Sequence, residues 1–357
     1  MKKKILISTG GSGGHVIPGI CFYQHLKENF DISITLDKRG LNFINLKEFN
    51  YEVINTPHLS KNIFKFPINL ITFLLSIIRS FFYIKKKNVK IVISTGGYMS
   101  LPICIAARIL NCKIFLFEPN MVIGRSNLIF LGQCDKIFCY HNEVKNFPDK
   151  YKYKIELINP LLKKEIYSVK KNEKLNFNGK INLLIVGGSQ GAEFFQNNLK
   201  SDIVKLSKKF DLYVSHQTNF KNYESLKIFY QQNNIKFNLF NFEDSISKKI
   251  NQFNLCITRS GASSLAEFSF LNIPFITIPF PKAKDNHQFY NALYYKKKNL
   301  CWMLNQSDIY NDKVYNLIID IVTNSEDVKS KITEMQKFSY QNSWNNINKK
   351  LLSVLNK

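Results

Sequence analysis

Short apolar runs separated by longer stretches of helical periodicity repeat along the chain. Ile5 to Ser8, Ile91 to Ser94, Ile114 to Phe117, Ile137 to Tyr140 and Ile155 to Ile158 are continuous rather than alternating in hydrophobicity, as in parallel strands covered on both faces. A further strand lies near Val53. Asn159-Pro160 marks a turn and hinge, residues Lys163 to Lys180 turn polar and rich in Lys and Asn, and the pattern then restarts. Ile181 to Val186, Leu212 to Ser215, Phe237 to Phe240, Leu255 to Ile257 and Phe275 to Ile278 are the strands of a second half, with helical stretches between them. The fold class is therefore α/β, with two Rossmann-like parallel-sheet domains over residues 1–160 and 161–337. The tail from Tyr310 is helical and polar, with Trp344, Leu351, Leu352 and Leu355 on one face, and its last part, residues 338–357, is expected to fold back onto the first domain.

The chemistry gathers where strands end. Ile5 to Ser8 runs into Gly10-Gly11-Ser12-Gly13-Gly14-His15 and a helix, Ile91 to Ser94 into Thr95-Gly96-Gly97-Tyr98, and Ile114 to Phe117 into Glu118-Pro119-Asn120. Open α/β sheets bind ligands at these carboxyl ends. The first loop lacks the G-x-G-x-x-G spacing of a dinucleotide site, although Asp37 stands where its ribose acid would, and it lacks the Lys of a P-loop. It adds His15 at a helix N-terminus, where the dipole disfavours the imidazolium, so a neutral ring is available to take a proton. In the second half, Gly187-Gly188-Ser189-Gln190-Gly191-Ala192 follows the first strand. Thr258-Arg259-Ser260-Gly261-Ala262-Ser263-Ser264-Leu265-Ala266-Glu267 then joins a strand, a small-residue turn and an amphipathic helix. Small residues admit an anion to backbone N–H groups, and a carboxylate one to two turns into the helix can accept from a pair of ribose hydroxyls. Asp285-Asn286-His287-Gln288 opens another helix with polar groups placed for a ligand.

Phe66 to Ile84 is an apolar run of bilayer length followed by Lys85-Lys86-Lys87. Spanning a membrane would separate strands of one sheet, and Pro67, Asn69 and Arg79 interrupt the run, so a helix lying on a membrane surface is the expectation, with a helix buried under a loop as the plainer alternative. Each Lys near an anionic leaflet adds about 1 kcal/mol. The net charge of +24 suggests an anionic partner, but Lys is spread along the whole chain without a nucleic-acid motif, as an A/T-rich genome would also produce. No nucleic-acid partner is expected. The seven cysteines form no CxxC pair and read as buried thiols of a reducing cytosol.

Read in order, Gly10 to His15, Gly96-Gly97-Tyr98, Glu118-Pro119-Asn120, Gly187 to Ala192, Arg259 to Ala262, Glu267 and Asp285-Asn286-His287-Gln288-Phe289-Tyr290-Asn291-Ala292 closely resemble the motifs of the MurG family over nearly the whole chain. Those bacterial enzymes transfer N-acetylglucosamine from its UDP donor to lipid I, making lipid II for the cell wall. The resemblance implies the glycosyltransferase-B fold, two Rossmann-like domains facing a cleft, with the acceptor and membrane on the first and the donor mainly on the second. It implies that Ser189, Gln190, Gly191 and Ala192, with Ala262, Ser263, Ser264, Leu265 and Ala266, meet the donor pyrophosphate, that Glu267 holds the ribose, and that Gln288 and Asn291 read the sugar. Ser12, Gly13, Gly14 and Asn120 would approach the transferred sugar. His15 is the implied general base for the acceptor 4-hydroxyl in a single inverting displacement, with Glu118 as runner-up. Gly97 and Tyr98 would serve the acceptor; Phe73, Leu74, Phe81, Phe82 and Lys85 would serve the membrane. The implied setting is peripheral, on the cytoplasmic face of the inner membrane, with UDP-N-acetylglucosamine, lipid I, anionic lipids and a cell-wall synthesis complex as partners. No tightly bound cofactor or metal is implied; UDP-N-acetylglucosamine is a substrate. The chain departs from the family at Leu162, where an Arg is usual and Lys163 or Lys164 is the nearest substitute, at Phe117, Pro119 and His287, and at Glu243, which would face uracil through its backbone. The alternatives are another glycolipid glycosyltransferase or a UDP-sugar epimerase of this fold, and, in another class, a basic membrane- or nucleic-acid-binding protein.

Overall fold

A computed structural model describes residues 2–45, 47–57, 66–171, 177–241 and 250–356, without the side chains of residues 189–192. The chain forms two compact units, Met1–Lys164 with Trp344–Lys357, and Glu165–Ser343. These limits fall a few residues beyond those read from the sequence. The helix Ser325–Tyr340 stays whole within the second unit, so only the last helix belongs to the first.

The first unit holds β1 (Lys4–Ser8), β2 (Asp31–Leu36), β3 (Tyr51–Val53), β4 (Ile91–Ser94), β5 (Lys113–Glu118), β6 (Lys136–Cys139) and β7 (Ile155–Leu157). They form one sheet in the order β3-β2-β1-β4-β5-β6-β7, parallel throughout. Ile5, Leu6 and Ile7 of β1 and Ile93 of β4 are wholly buried, because helices cover both faces. Those helices include α1 (Gly13–Leu26), α2 (Phe66–Lys87), α3 (Leu101–Ile109) and α4 (Arg125–Phe130). The strand order reverses between β1 and β4, which places the glycine turns after both strands at the switch point where such sheets take ligands.

The C-terminal helix, Trp344–Leu355, completes this unit against α1. Ile347, Leu351, Val354 and Leu355 are buried, each worth about 1.5–3 kcal/mol of transfer free energy. The Trp344 ring stacks on the buried His25 ring at 3.6 Å, the Asn348 side-chain oxygen faces His25 Nδ1, and Lys350 donates to Glu156.

The second unit repeats the design with β8 (Lys180–Val186), β9 (Asp211–Gln217), β10 (Lys236–Phe240), β11 (Leu255–Thr258), β12 (Phe275–Thr277) and β13 (Trp302–Met303). Their order is β10-β9-β8-β11-β12-β13, again parallel, with the reversal between β8 and β11. The helices are α5 (Gly188–Asn198), α6 (Lys200–Ser207), α7 (Tyr223–Gln232), α8 (Ala262–Phe270), α9 (His287–Lys297), α10 (Lys313–Thr323) and α11 (Ser325–Tyr340). The two-residue β13 lies within the apolar run Leu300 to Leu304, which the sequence reading passed over, and it pairs with Ile276 and Thr277 of β12.

Candidate active site

At the edge of the first unit, His15 sits in the first turn of α1, half-buried. Its Nδ1 lies 2.8 Å from the Thr95 carbonyl oxygen. A carbonyl only accepts, so in the neutral ring Nδ1 carries the proton and Nε2 the lone pair, as a base requires. Thr95 is itself tied to β1 through Thr9 Oγ1 at 2.9 Å and the Ser8 carbonyl. Gly97 has φ +81°, and a Cβ there would come within 3.2 Å of His15 Nε2. Glycine is therefore required at that position twice over, for backbone conformation and for room beside the imidazole.

Glu118 ends β5 almost wholly buried. Its carboxylate accepts from Asn120 N and Nδ2, from Gly124 N at 2.7 Å and from Asn127 Nδ2 at 3.0 Å. Burial raises its pKa, and these N–H donors pull against that rise. The arrangement suits a carboxylate that shapes the Asn120 loop. Asp37 does not stand as a ribose acid: buried, it accepts from Gly11 N at 2.8 Å, Gly40 N at 3.0 Å and Arg39 Nε at 2.6 Å, and so pins the glycine turn. Those hydrogen bonds and the adjacent guanidinium hold its carboxyl below the usual carboxylate range in spite of burial.

In the second unit, α5 and α8 start at the carboxyl ends of neighbouring strands β8 and β11. The N-caps are Gly187, Gly261 and, for α1, Ser12, and none of these residues caps its helix through a side chain of its own. Three helix N-termini thus keep first-turn N–H groups for an anion. Gly188, at φ +63°, donates its N–H to Gln217 Oε1 at 2.9 Å, which sets the start of α5. Gly191 and Ala192 lie in α5, as do Ser189 and Gln190. Ala262, Ser263 and Ser264 are half-buried in the first turn of α8, whereas the Leu265 and Ala266 side chains are core, so these two have only main chain to offer a ligand. Glu267 is half-buried one turn further.

Gln288, in the first turn of α9, is oriented by two backbone donors: its Oε1 accepts from Ser260 N at 3.2 Å and Phe280 N at 3.0 Å. The amide nitrogen is then what it can turn to a ligand, as a donor to hydroxyls. Asn291 is buried and donates to the Ser260 carbonyl, holding the turn from beneath. Leu162 is buried too, while Glu243 lies outside the described residues. Among the described residues no cluster of His, Cys, Asp or Glu could hold a metal ion.

The face read as membrane-binding is also in the first unit. Helix α2 buries Ser76, Ser80 and Ile84, and exposes Ile71, Leu74, Leu75, Ile78 and Phe82. It is amphipathic the wrong way round for a helix in water. Small serines let α2 pack on α3, and their hydroxyls are satisfied by carbonyls of their own helix. Of the residues expected there, Leu74, Phe82 and Lys85 are exposed, whereas Phe73 and Phe81 turn inward, Phe73 against the half-buried Tyr98. It is long and apolar enough to cross a bilayer by length and composition.

Sequence reasoning did not find Thr95, Asn127 or Gln217 as site supports: Thr95 and Gln217 act through hydrogen bonds to segments far along the chain, and Asn127 reaches back to the strand end before its own helix. The position of Thr95 at a strand end was visible.

Two Rossmann-like units, each with glycine-rich turns and helix N-termini at its switch point, define the glycosyltransferase-B fold. The profile of the glycosyltransferase family 28 N-terminal domain matches residues 5–139, and that of the family 28 C-terminal domain matches residues 182–347. The UDP-N-acetylglucosamine–N-acetylmuramyl-(pentapeptide) pyrophosphoryl-undecaprenol N-acetylglucosamine transferase of Pelagibacter ubique is 49% identical over 100% of this chain and 99% of its own. That of Rickettsia prowazekii is 31% identical over 91% of this chain and 92% of its own. The chain belongs to this transferase family, the MurG family. Among solved structures, Acinetobacter baumannii MurG matches with a TM-score of 0.75 at 19% identity, over 99% of this chain and 100% of that one. A UDP-N-acetylglucosamine 2-epimerase matches with a TM-score of 0.68 at 12% identity, over 100% of this chain and 97% of that one, a likeness of fold alone.

Proposed function

We propose that the protein transfers N-acetylglucosamine from UDP-N-acetylglucosamine to the 4-hydroxyl of lipid I, undecaprenyl-pyrophosphoryl-muramyl-pentapeptide, producing lipid II for peptidoglycan synthesis. The observation that carries this reading is the end-to-end likeness to the Pelagibacter transferase, since the fold itself is shared with epimerases.

In the reaction the acceptor O4 attacks the anomeric carbon from the face opposite UDP. The O4 proton passes to His15 Nε2, the new C1–O4 bond forms, and the old C1–O bond breaks with its electron pair leaving on the UDP β-phosphate. The configuration inverts in this single step. The first turns of α5 and α8 hold the diphosphate, where helix N-termini favour the charge that grows as UDP departs. Glu267 accepts from the ribose hydroxyls, and the Gln288 amide donates to a sugar hydroxyl. Ser12, Gly13, Gly14 and Asn120 border the transferred sugar, with Glu118 fixing Asn120. Gly97 and Tyr98 serve the acceptor.

The enzyme is membrane-associated, and we place it peripherally on the cytoplasmic face of a bacterial inner membrane. The exposed apolar face of α2 enters the interface, and Lys85, Lys86 and Lys87 at its end meet anionic headgroups. An epimerase acting on a soluble sugar nucleotide has no use for such a face. UDP release from UDP-N-acetylglucosamine, measured in detergent with and without a lipid I analogue, tests the assignment. Release only with the muramyl-pyrophosphoryl acceptor is expected; release without it overturns the transferase reading.

A further inference from the structure

Arg259 follows the last residue of β11 and is 5% exposed. Its guanidinium carbon lies 4.7 Å from the Phe195 ring centre, 4.9 Å from Phe194 and 5.5 Å from Phe280. Nη1 donates to the Ile278 carbonyl at 3.1 Å and the Pro279 carbonyl at 3.3 Å, and Nη2 donates to Gln306 Oε1 at 2.7 Å. Nε is buried without a hydrogen-bond partner. The main-chain N–H of Arg259 meets the Val186 carbonyl, the last residue of β8.

These contacts connect the parts of the proposed donor site. Phe194 and Phe195 belong to α5, whose first turn follows β8. Ile278, Pro279 and Phe280 form the segment after β12, and Phe280 N is one of the two donors that orient Gln288. The next residue, Ser260, supplies the other donor, takes Asn291 at its carbonyl and leads through Gly261 into α8. One planar cation thus touches α5 and the loop carrying the Gln288 support, and its own main chain leads into the turn before α8. Burying a guanidinium with one N–H unpaired costs free energy that packing alone does not require. Burial lowers its pKa to about 10, which leaves it charged at neutral pH.

We propose that Arg259 is a positioning residue of the donor diphosphate site: its stacked and hydrogen-bonded guanidinium sets the spacing between the first turns of α5 and α8 and, through Phe280, the orientation of Gln288. The inference rests on the donor reading above. The planar fork is essential to it. A lysine keeps the charge but cannot span two carbonyls and Gln306 while lying flat between phenylalanine rings.

The test compares Arg259→Lys and Gln306→Leu with wild type by calorimetric titration of UDP and of uridine, with thermal unfolding as a check on folding. Wild-type protein that binds no UDP defeats the donor reading itself. With wild-type binding intact, folded R259K is expected to lose about tenfold or more in UDP affinity while uridine stays within about threefold. Q306L, which removes the Nη2 acceptor from a half-buried position outside the binding loops, is expected to shift the same ratio by a smaller factor, and it decides the matter if R259K does not fold. UDP and uridine weakening equally, or neither weakening, in the folded variant overturns the proposal.

Discussion

His15 owes its proposed role to one hydrogen bond, Nδ1 to the Thr95 carbonyl, which assigns the tautomer. His15→Ala is expected to lower turnover by about 10² or more with donor affinity little changed; normal turnover across the pH range would remove His15 from the proton transfer. Gln288 allows a finer separation. Gln288→Glu keeps an oxygen for the Ser260 and Phe280 N–H groups but loses the amide donor, whereas Gln288→Ala orphans both N–H groups, at about 1–3 kcal/mol each. Melting temperatures should fall for the alanine variant and hold for the glutamate variant, while both bind donor weakly; equal melting points would refute the bonding scheme. His25 gives a pH prediction. Burial pushes its pKa down to about 4 from an ordinary 6.5, so the folded first unit excludes a proton that the unfolded chain accepts. Its contribution is complete above pH 6.5 and is lost as pH falls from 6.5 toward 4, at up to about 1.4 kcal/mol per pH unit. Melting of His25→Phe should depend less steeply on pH than wild type across that window, and an unchanged slope would exclude His25 as the source. At this scale, the place of His15 at the start of α1 was legible because a strand, a glycine turn and a helical stretch mark it. Asp37 misled because its position mimics a ribose acid, and its actual partners, the N–H groups of Gly11 and Gly40, leave no trace in composition.

Elements follow a different logic. Most strands were readable to within about two residues, since parallel strands buried on both faces have a continuous apolar signature, while β2 and β13 were given no bounds. Helix α8 opens from a small-residue turn as its sequence suggests, with Gly261 as N-cap and Ser263 and Ser264 in its first turn, and the turn stays narrow where Ser260 meets Gln288. Helix α2 showed its apolar length but not its facing. Periodicity assumes that the apolar stripe points inward, and here the small serines do. Replacing Ile71, Leu75, Ile78 and Phe82 by polar residues is therefore expected to abolish sedimentation with anionic liposomes and to leave folding intact. A folded variant that still pellets would eliminate this helix as the contact. The same change at Phe73 and Phe81 should instead destabilise the unit, since both rings pack against its core.

For the molecule as a whole, the doubled α/β design was plain in the sequence because the pattern restarts at Ile181, while the exact return of the chain was not. Residues 338–343 look as helical and polar as those after them, and only packing assigns them to the second unit. The C-terminal helix can be tested against that division. Leu351→Ala is expected to lower the stability of the first unit by about 2–5 kcal/mol and leave the second untouched, so calorimetry should show one transition moving and the other still. Both moving together would mean that the units do not melt separately. The division also sets an order of manufacture. The ribosome delivers the sheet of the first unit early, but the helix that covers α1, with its Trp344 and Leu351, only after the entire second unit. The second unit can close on itself as it emerges, while α1 keeps an uncovered apolar surface until residues 344–355 follow. A nascent chain of this enzyme is thus most adhesive between the emergence of its second unit and the arrival of Trp344–Leu355, the helix that turns that surface from general to specific.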